Sequence, residues 1–429
     1  MNILITGATG FIGRHLASAL RAAGHRVIEV SRTATGSDAI RGDFAHDLDA
    51  AVWVPRLAGV DVVINAVGIL RESGAQTFAA VHTRAPQALF EACARTGVKR
   101  VIQISALGAD GGASRYFRSK HAADEFLASL PLDYTIVQPS LVYGEGGSSA
   151  TMFTTLASLP VIGVPGRGEQ LVQPIHIEDL VAVIATLCRE PLASRAKIAL
   201  VGPRSMRYRD MLLELRAAMG LARAPVIPLP MSLMRLGARI AELSPRSLLD
   251  RETLAMLEAG NVADPTATTR LLGHAPREVA TFVEDDIRTP ITRSAQLTWL
   301  LPLLRFSIAV VWIWTGIVSL GLFPREASFE LLYRTGVPAS LAPLMLYGAA
   351  GLDLALGVAT LIVRQRWLWL AQIALILIYT LIITVRLPEF WLHPYGPLLK
   401  NLPMLAALYF LYVVGDANDA PAERRVGRF

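Results

Sequence analysis

Apolar and polar positions along this chain follow two regimes. Up to about Thr292, short apolar runs alternate with stretches in which apolar residues recur every third or fourth position. The runs at 2–6, 25–30, 59–68, 100–110 and 133–144 read as buried strands, and the periodic stretches at 11–23, 82–96 and 116–130 as helices. Strands alternating with helices need crossover connections, which are right-handed and build an α/β doubly wound parallel sheet. From Leu297 to Gly415 the pattern is almost continuously apolar, with Trp and Tyr near the edges of the runs. Four runs, at 299–323, 341–363, 367–386 and 398–415, are each long enough to cross a hydrocarbon core of about 30 Å as a helix.

Composition changes this picture little. At 429 residues the chain accommodates two or three domains, and the apolar second regime accounts for a mean hydropathy of +0.43. The net charge of +6 comes from scattered arginines, not from a basic block, so no nucleic-acid partner is expected. Two cysteines, Cys93 and Cys188, exclude a disulfide framework and a cysteine metal site, and fit a reducing compartment. No metal ligand set is apparent: the histidines lack metal-like spacing, and His15, His25, His46, His82, His121 and His274 read as surface or capping residues. The N-terminus lacks the basic n-region of a signal peptide, and its first apolar run breaks at glycines.

That break is TGATGFIG, residues 6–13, between the first strand and the first helix. Gly7 allows the tight bend, Gly10 lets backbone approach a pyrophosphate, and Gly13 lets the helix pack close to the sheet. The helix N-terminus offers free N–H groups and a positive dipole end to phosphate. The turn, with Thr9, Phe11 and Ile12, is therefore a candidate dinucleotide site. Strand two ends in Ser31 and Arg32, where an acid would hold a ribose hydroxyl; arginine and serine suit a 2′-phosphate, favouring NADP(H) over NAD(H).

These pieces, with Gly42-Asp43, NAVG at 65–68, Ser105, YFRSK at 116–120, QPSLVYG at 138–144 and PIHIEDL at 174–180, resemble the short-chain dehydrogenase/reductase superfamily in its extended or atypical branch. SALGAD followed by YFRSK is similar to the branch holding the nucleotide-binding accessory subunit of respiratory complex I. The resemblance implies that Asp43, followed by Phe44, faces the adenine, and that Ala66, Val67 and Gly68 line the cofactor cleft. It implies that Pro139 and Ser140 approach the nicotinamide carboxamide, that Tyr116 is a general acid/base with Lys120 as its partner and cofactor contact, and that Ser105 donates to a substrate carbonyl. His176 is implied to sit in a structural turn beside the substrate cleft.

The chemistry asks for that pairing independently. A free tyrosine exchanges protons near pH 10, and a lysine ammonium nearby would bring it toward neutrality. Spacing of four on a helix places both side chains on one face. The loop between Ser105 and Tyr116 is short for a catalytic member, and the complex I relative is regarded as binding nucleotide without turnover, so two readings stay open. One is an oxidoreductase acting on a carbonyl, hydroxyl or sugar-like small molecule; the other is a non-catalytic accessory or assembly factor for a respiratory or quinone-biosynthesis complex. Four helices without an internal repeat make a transporter a poor third.

Domain limits are expected at 1–290 for the nucleotide domain, with a substrate-side part mainly in 145–180 and 192–286, then a linker at 291–298, a membrane domain at 299–416 and a tail at 417–429. In 231–243, apolar residues face one side and Arg235 and Arg239 another, which suits either a membrane surface or a core. LDLALGVATL at 352–361 and LHPYGPLLKNLPML at 392–405 resemble the DoxX-like family of four-helix membrane proteins, which implies respiratory or quinone-linked surroundings. Flanking arginines place the nucleotide domain and both termini in the cytoplasm, on a multi-pass protein of the inner membrane. Asp353 lies mid-run, and Arg305 matches its apparent depth, so an ion pair between them is expected, with a proton or quinone-head contact as the sharper alternative.

Overall fold

The structure is a computed structural model that describes residues 1–112, 114–189, 194–242 and 250–419, with 416–419 as backbone alone. It divides into two compact units, Met1–Ala295 and Gln296–Phe429.

In the first unit, seven strands form one parallel sheet: β1 (Asn2–Thr6), β2 (Arg26–Ser31), β3 (Ala39–Arg41), β4 (Val62–Asn65), β5 (Arg100–Ile104), β6 (Tyr134–Pro139) and β7 (Ala196–Leu200). Their order is β7-β6-β5-β4-β1-β2-β3. The chain winds outward in both directions from β1, so a crevice opens beyond the carboxyl ends of β1 and β4. Of the edge strands not expected from the sequence, β3 (AIR) has only three residues, while β7 (AKIAL) is apolar at four of its five positions. The longer expected runs at 59–68, 100–110 and 133–144 are trimmed, because their last residues leave the sheet as loops around that crevice.

Helices α1 (Phe11–Ala22), α2 (Ala85–Thr96), α3 (Arg115–Ser129) and α4 (Ile177–Arg189) cover the two faces. Leu16, Leu20, Ile184 and Leu187 pack with Ile3, Ile5 and Ile102 on one side; Leu89, Phe90, Leu127 and Trp53 pack with Leu4, Val63 and Val101 on the other. A smaller core holds Phe153, Leu212, Leu215, Val279 and Phe282 on the substrate side. There α5 (Met231–Ala241) and α6 (Arg251–Ala259) lie next to one another. The expected substrate-side stretch begins at 192, and the amphipathic stretch ends at 243; both points lie outside the described residues.

One long helix, α7 (Asp285–Ile317), follows. The stretch 291–298 expected as a linker is helical and internal to it, since the stretch itself holds no Gly or Pro, although Pro290 and Pro302 flank it in the same helix. Ile291 and Ala295 pack into the substrate-side core. In the second unit come α8 (Arg325–Arg334), α9 (Ala342–Ile362), α10 (Trp367–Arg386) and α11 (Asn401–Asp419). Three helical segments, Asp285–Leu322, Ala342–Ile362 and Trp367–Arg386, are long and apolar enough to cross a membrane, and a fourth apolar segment, Asn401–Gly415, is shorter. Most of the tail expected at 417–429 lies outside the described residues.

Candidate nucleotide and catalytic site

Each glycine of the first turn answers a steric demand. Gly7 has φ +68°, and a Cβ there would meet the Ala66 carbonyl oxygen at 2.9 Å, so the turn lies directly against the end of β4. A Cβ on Gly13 would lie 2.1 Å from the Gly7 oxygen, so helix and turn can touch only at glycine. Gly10 caps α1 with extended backbone and donates to the Gly7 oxygen at 2.9 Å. No side chain caps this helix, which leaves the first-turn N–H groups of Phe11, Ile12 and Gly13 for an outside acceptor. Thr9 is exposed beside them. A diphosphate fits this cradle of free N–H groups and absent side chains.

Beyond β2, Ser31 is buried and Arg32 exposed. Asp43 is held by the Ala45 N–H at 3.0 Å and Gln76 Nε2 at 3.1 Å, with His46 at 3.1 Å. Burial works against its charge, but these hydrogen bonds prevail and hold its carboxyl below the ordinary range. Phe44 turns its ring into the core against Trp53, 5.3 Å between centroids, so only its backbone remains for a ligand. At the end of β6, Pro139 pairs with Leu200, and the Ser140 hydroxyl donates to the Gln173 carbonyl.

The candidate catalytic residues meet at the far wall of the crevice. Lys120, on α3, is buried and donates from Nζ to the carbonyls of Val67 at 3.2 Å and Ile104 at 3.1 Å. A Cβ on Gly68 would stand 3.3 Å from the same Nζ, so ammonium and loop 66–68 are in close company. Burial lowers the lysine to about 8, opposed by the nearby Asp124 charge. Tyr116 has a half-buried ring among Phe78, His82 and Phe117, with centroid distances of 5.9, 5.2 and 5.6 Å. Its phenol is pushed up to about 12, first by desolvation and then by Asp124, the reverse of the expected effect of Lys120. The physical reason is desolvation of a ring packed among Phe78, His82 and Phe117, with the Asp124 charge acting in the same direction.

Two residues at this wall escaped the sequence reading. Asp124 is fully buried and accepts the Ser105 hydroxyl hydrogen, so the donor expected for a substrate carbonyl is already in use. Burial raises Asp124 to about 6, against the Ser105 hydrogen bond and the Lys120 charge. Its signal was present: Tyr116, Lys120 and Asp124 recur at i, i+4 and i+8 on one helix face. His82, expected as a surface or capping residue, is buried in a π-helical turn, Ala79–Arg84. Its Nε2 accepts the Ile69 N–H at 2.9 Å, so Nδ1 carries the proton and donates to Ser119 Oγ at 3.0 Å. Ser119 in turn donates to the Tyr116 carbonyl at 2.7 Å. Burial, and then the Lys120 charge, depress His82 to about 2, so it is a neutral strut between loop 67–69 and the start of α3.

His176, expected in a turn, instead ends a short strand, Ile175–His176, that pairs with Val142–Tyr143 and runs directly into α4. Arg277 Nη1 lies 3.3 Å from its Nδ1 and Phe282 5.3 Å from its ring. His121, Asp110 and Glu125 come together, but Lys197 donates to Asp110 at 2.9 Å and to Glu125 at 2.7 Å, so this is an ion network around an ammonium.

Residues 3–202 match the NAD dependent epimerase/dehydratase family, and residues 309–409 match the DoxX-like family. The chain joins an NAD-dependent epimerase/dehydratase-type domain to a DoxX-like membrane domain. The first domain is 28% identical over 239 residues to a ceramide reductase of Caulobacter vibrioides, covering 53% of this chain and 73% of that one. It is 29% identical over 213 residues to the mitochondrial NADH dehydrogenase [ubiquinone] 1 alpha subcomplex subunit 9 of Arabidopsis thaliana, covering 45% of this chain and 51% of the relative. The fold is shared with the human epimerase family protein SDR39U1 solved with NADPH, at a TM-score of 0.53 and 21% identity over 66% of this chain and 98% of that one.

In the DoxX-like domain, the expected ion pair is absent. Arg305 donates to the carbonyls of Thr360 at 3.0 Å and Val363 at 2.8 Å, where the last carbonyls of α9 lack helical partners, and its guanidinium lies 5.3 Å from the Trp369 ring. Asp353 stands seven and ten residues earlier on α9, about 10 and 15 Å along the axis. Apolar-run edges misjudged the depth because the arginine reaches outward to the helix end. Among the described residues Asp353 has no ion pair, and its Oδ1 has no hydrogen-bond partner. Gly316 and Gly357 do bring α7 and α9 together: a Cβ on Gly316 would lie 2.8 Å from the Ala350 oxygen, and one on Gly357 3.0 Å from the Ile313 nitrogen.

Proposed function

We propose that the chain is a membrane-anchored, NADP(H)-dependent reductase of a lipophilic carbonyl substrate, with its nucleotide domain and both termini on the cytoplasmic face of the inner membrane. The observation that carries this reading is the meeting of Lys120 Nζ, Gly68 and the His82-braced start of α3, which bears Tyr116, at the carboxyl ends of β4 and β5. The ceramide reductase relative and the membrane domain support a lipid-like substrate. The nicotinamide cofactor, when bound, supplies the hydride. The glycine turn and the first-turn N–H groups of α1 hold its diphosphate, and Arg32 favours a 2′-phosphate. Tyr116 Oη gives its proton to the carbonyl oxygen, and Lys120 steadies the resulting phenolate. Ser105 positions the carbonyl once Asp124 takes up a proton, because the serine hydrogen is then released toward substrate.

The test is consumption of reduced nicotinamide by the full-length protein in lipid nanodiscs carrying long-chain ketones. Tyr116→Phe should lower turnover by about 10²–10⁴-fold with cofactor affinity unchanged. In calorimetry NADPH should bind more tightly than NADH, and Arg32→Asp should remove at least about tenfold of that preference, the worth of a charge-assisted hydrogen bond. Equal affinities in the unaltered protein would end the cofactor assignment. Two observations favour the accessory reading instead: the Ser105 hydrogen is engaged by Asp124, and the Tyr116 phenol is pushed up. Tight cofactor binding with no turnover of any carbonyl lipid, and unchanged binding in Tyr116→Phe, would establish it.

A further inference from the structure

Helix α5 presents an apolar stripe to solvent. Leu233, Leu236 and Ile240 are 53%, 52% and 61% exposed, at spacings that place them on one face, while Ala238 on the opposite face is buried. Single exposed leucines are ordinary, but three in register on one helix mark an interaction surface. Arg239 flanks the stripe and is exposed, and Arg235 pairs with Glu258 of α6 at 3.0 Å. An apolar stripe bordered by arginine is complementary to a bilayer interface with anionic headgroups.

The same chain carries helices long and apolar enough to cross a bilayer, and so tethers the first unit to one. Ile291 and Ala295 of α7 are packed into the core of the unit that contains α5, and the apolar span continues directly from them. A tethered surface is met at high effective concentration, so a short stripe suffices where a free protein would need a longer helix or a lipid anchor.

We propose that α5 is a second, peripheral membrane contact: it lies in the headgroup region of the bilayer with Leu233, Leu236 and Ile240 facing the acyl chains and Arg239 among anionic headgroups. This inference rests on the reading of the C-terminal helices as membrane-spanning, and not on catalysis. Met256 of α6, which packs on α5, shares with Tyr116 the cluster of Ala106, Ala109 and Phe117. The interfacial helix is thus one helix removed from the candidate catalytic face.

The experiment uses the full chain in phosphatidylcholine/phosphatidylglycerol vesicles, with an environment-sensitive fluorophore on Leu236→Cys or Ile240→Cys. Native Cys93 and Cys188 are buried and stay unlabelled. Probes on Leu377→Cys, exposed on α10, and Ser129→Cys, exposed on α3, serve as controls. Lipids carrying shallow doxyl quenchers should extinguish most of the emission at 236 and 240, and none at 129. Arg239→Glu should weaken that quenching in anionic vesicles and leave it unchanged in neutral ones. Deep quenching at 377 with none at 236 or 240 would overturn the proposal alone. Absence of quenching at 377 as well would overturn the membrane reading beneath it. Disulfide linkage between two copies of Ile240→Cys, without quenching, would make a second chain the occupant and equally overturn it.

Discussion

Thr6, Asn65 and Gln103 form a hydrogen-bonded row across β1, β4 and β5, at 2.6 and 2.7 Å, all fully buried. In the membrane unit Trp312, Gln372 and Thr360 make a similar row across α7, α10 and α9, at 2.7 and 3.0 Å, yet Asp353 on α9 keeps an oxygen without a partner. Both units therefore bury polar groups in chains, but by different means. In the sheet, strand register sets partners side by side, so each polar residue meets the next one across, and at the end of the row Gln103 keeps its Nε2 without a partner among the described residues. Among helices a partner must come from a neighbour at the same depth, and a wrong depth leaves a carboxylate alone.

Glycines differ by what stands opposite them within either unit, as Gly316 and Gly357 show beside Gly348, and the largest expected effect tests that. Gly13→Ala drives a methyl into the Gly7 carbonyl and should cost about 3 kcal/mol, or about 100-fold in cofactor affinity if the whole cost falls on binding. Gly348→Ala on α9, where a Cβ meets nothing within 4 Å, should leave the membrane unit as stable as before or slightly more so. Calorimetric titration with the cofactor and unfolding in mixed micelles measure the two. Equal effects would dissolve the comparison.

A smaller effect is expected from the membrane row. Gln372→Leu strands the Trp312 N–H in apolar surroundings and removes a donor from the Thr360 oxygen, whose hydroxyl still donates to the Leu356 carbonyl at 2.7 Å. It should lower stability in mixed micelles by about 1–2 kcal/mol. A variant as stable as the parent would mean that helix packing alone sets this domain.

A pH-dependent effect concerns Asp124. Its folded value of about 6 lies above the ordinary 3.8, so its contribution to stability is complete below about pH 4 and is lost as pH rises through about 6. Asp124→Asn removes that dependence. Relative to the parent, its stability should rise between pH 4 and 7 by about 3 kcal/mol, at about 1.4 kcal/mol for each unit between 3.8 and about 6, on top of a constant offset from the altered hydrogen bond to Ser105. Thermal unfolding across that range measures the slope, and a flat difference would show Asp124 ionised throughout.

Much of the first domain was legible because its constraints are local. The bend at Gly7, the packing at Gly13 and the helix-face spacing of Tyr116 and Lys120 each involve residues close in sequence. Lengths of apolar runs likewise announced the membrane helices, since a bilayer fixes how many residues a span needs. What tertiary structure alone decided lies between elements. The engagement of Ser105 by Asp124 depends on how far α3 stands from β5. The role of His82 depends on a π-turn that aims a ring at loop 67–69. The partners of Arg305 depend on the relative depth of two helices whose apolar surfaces look alike all round. Periodicity reports which face of an element is buried, but not what stands opposite it, because a partner distant in sequence leaves no mark on local spacing.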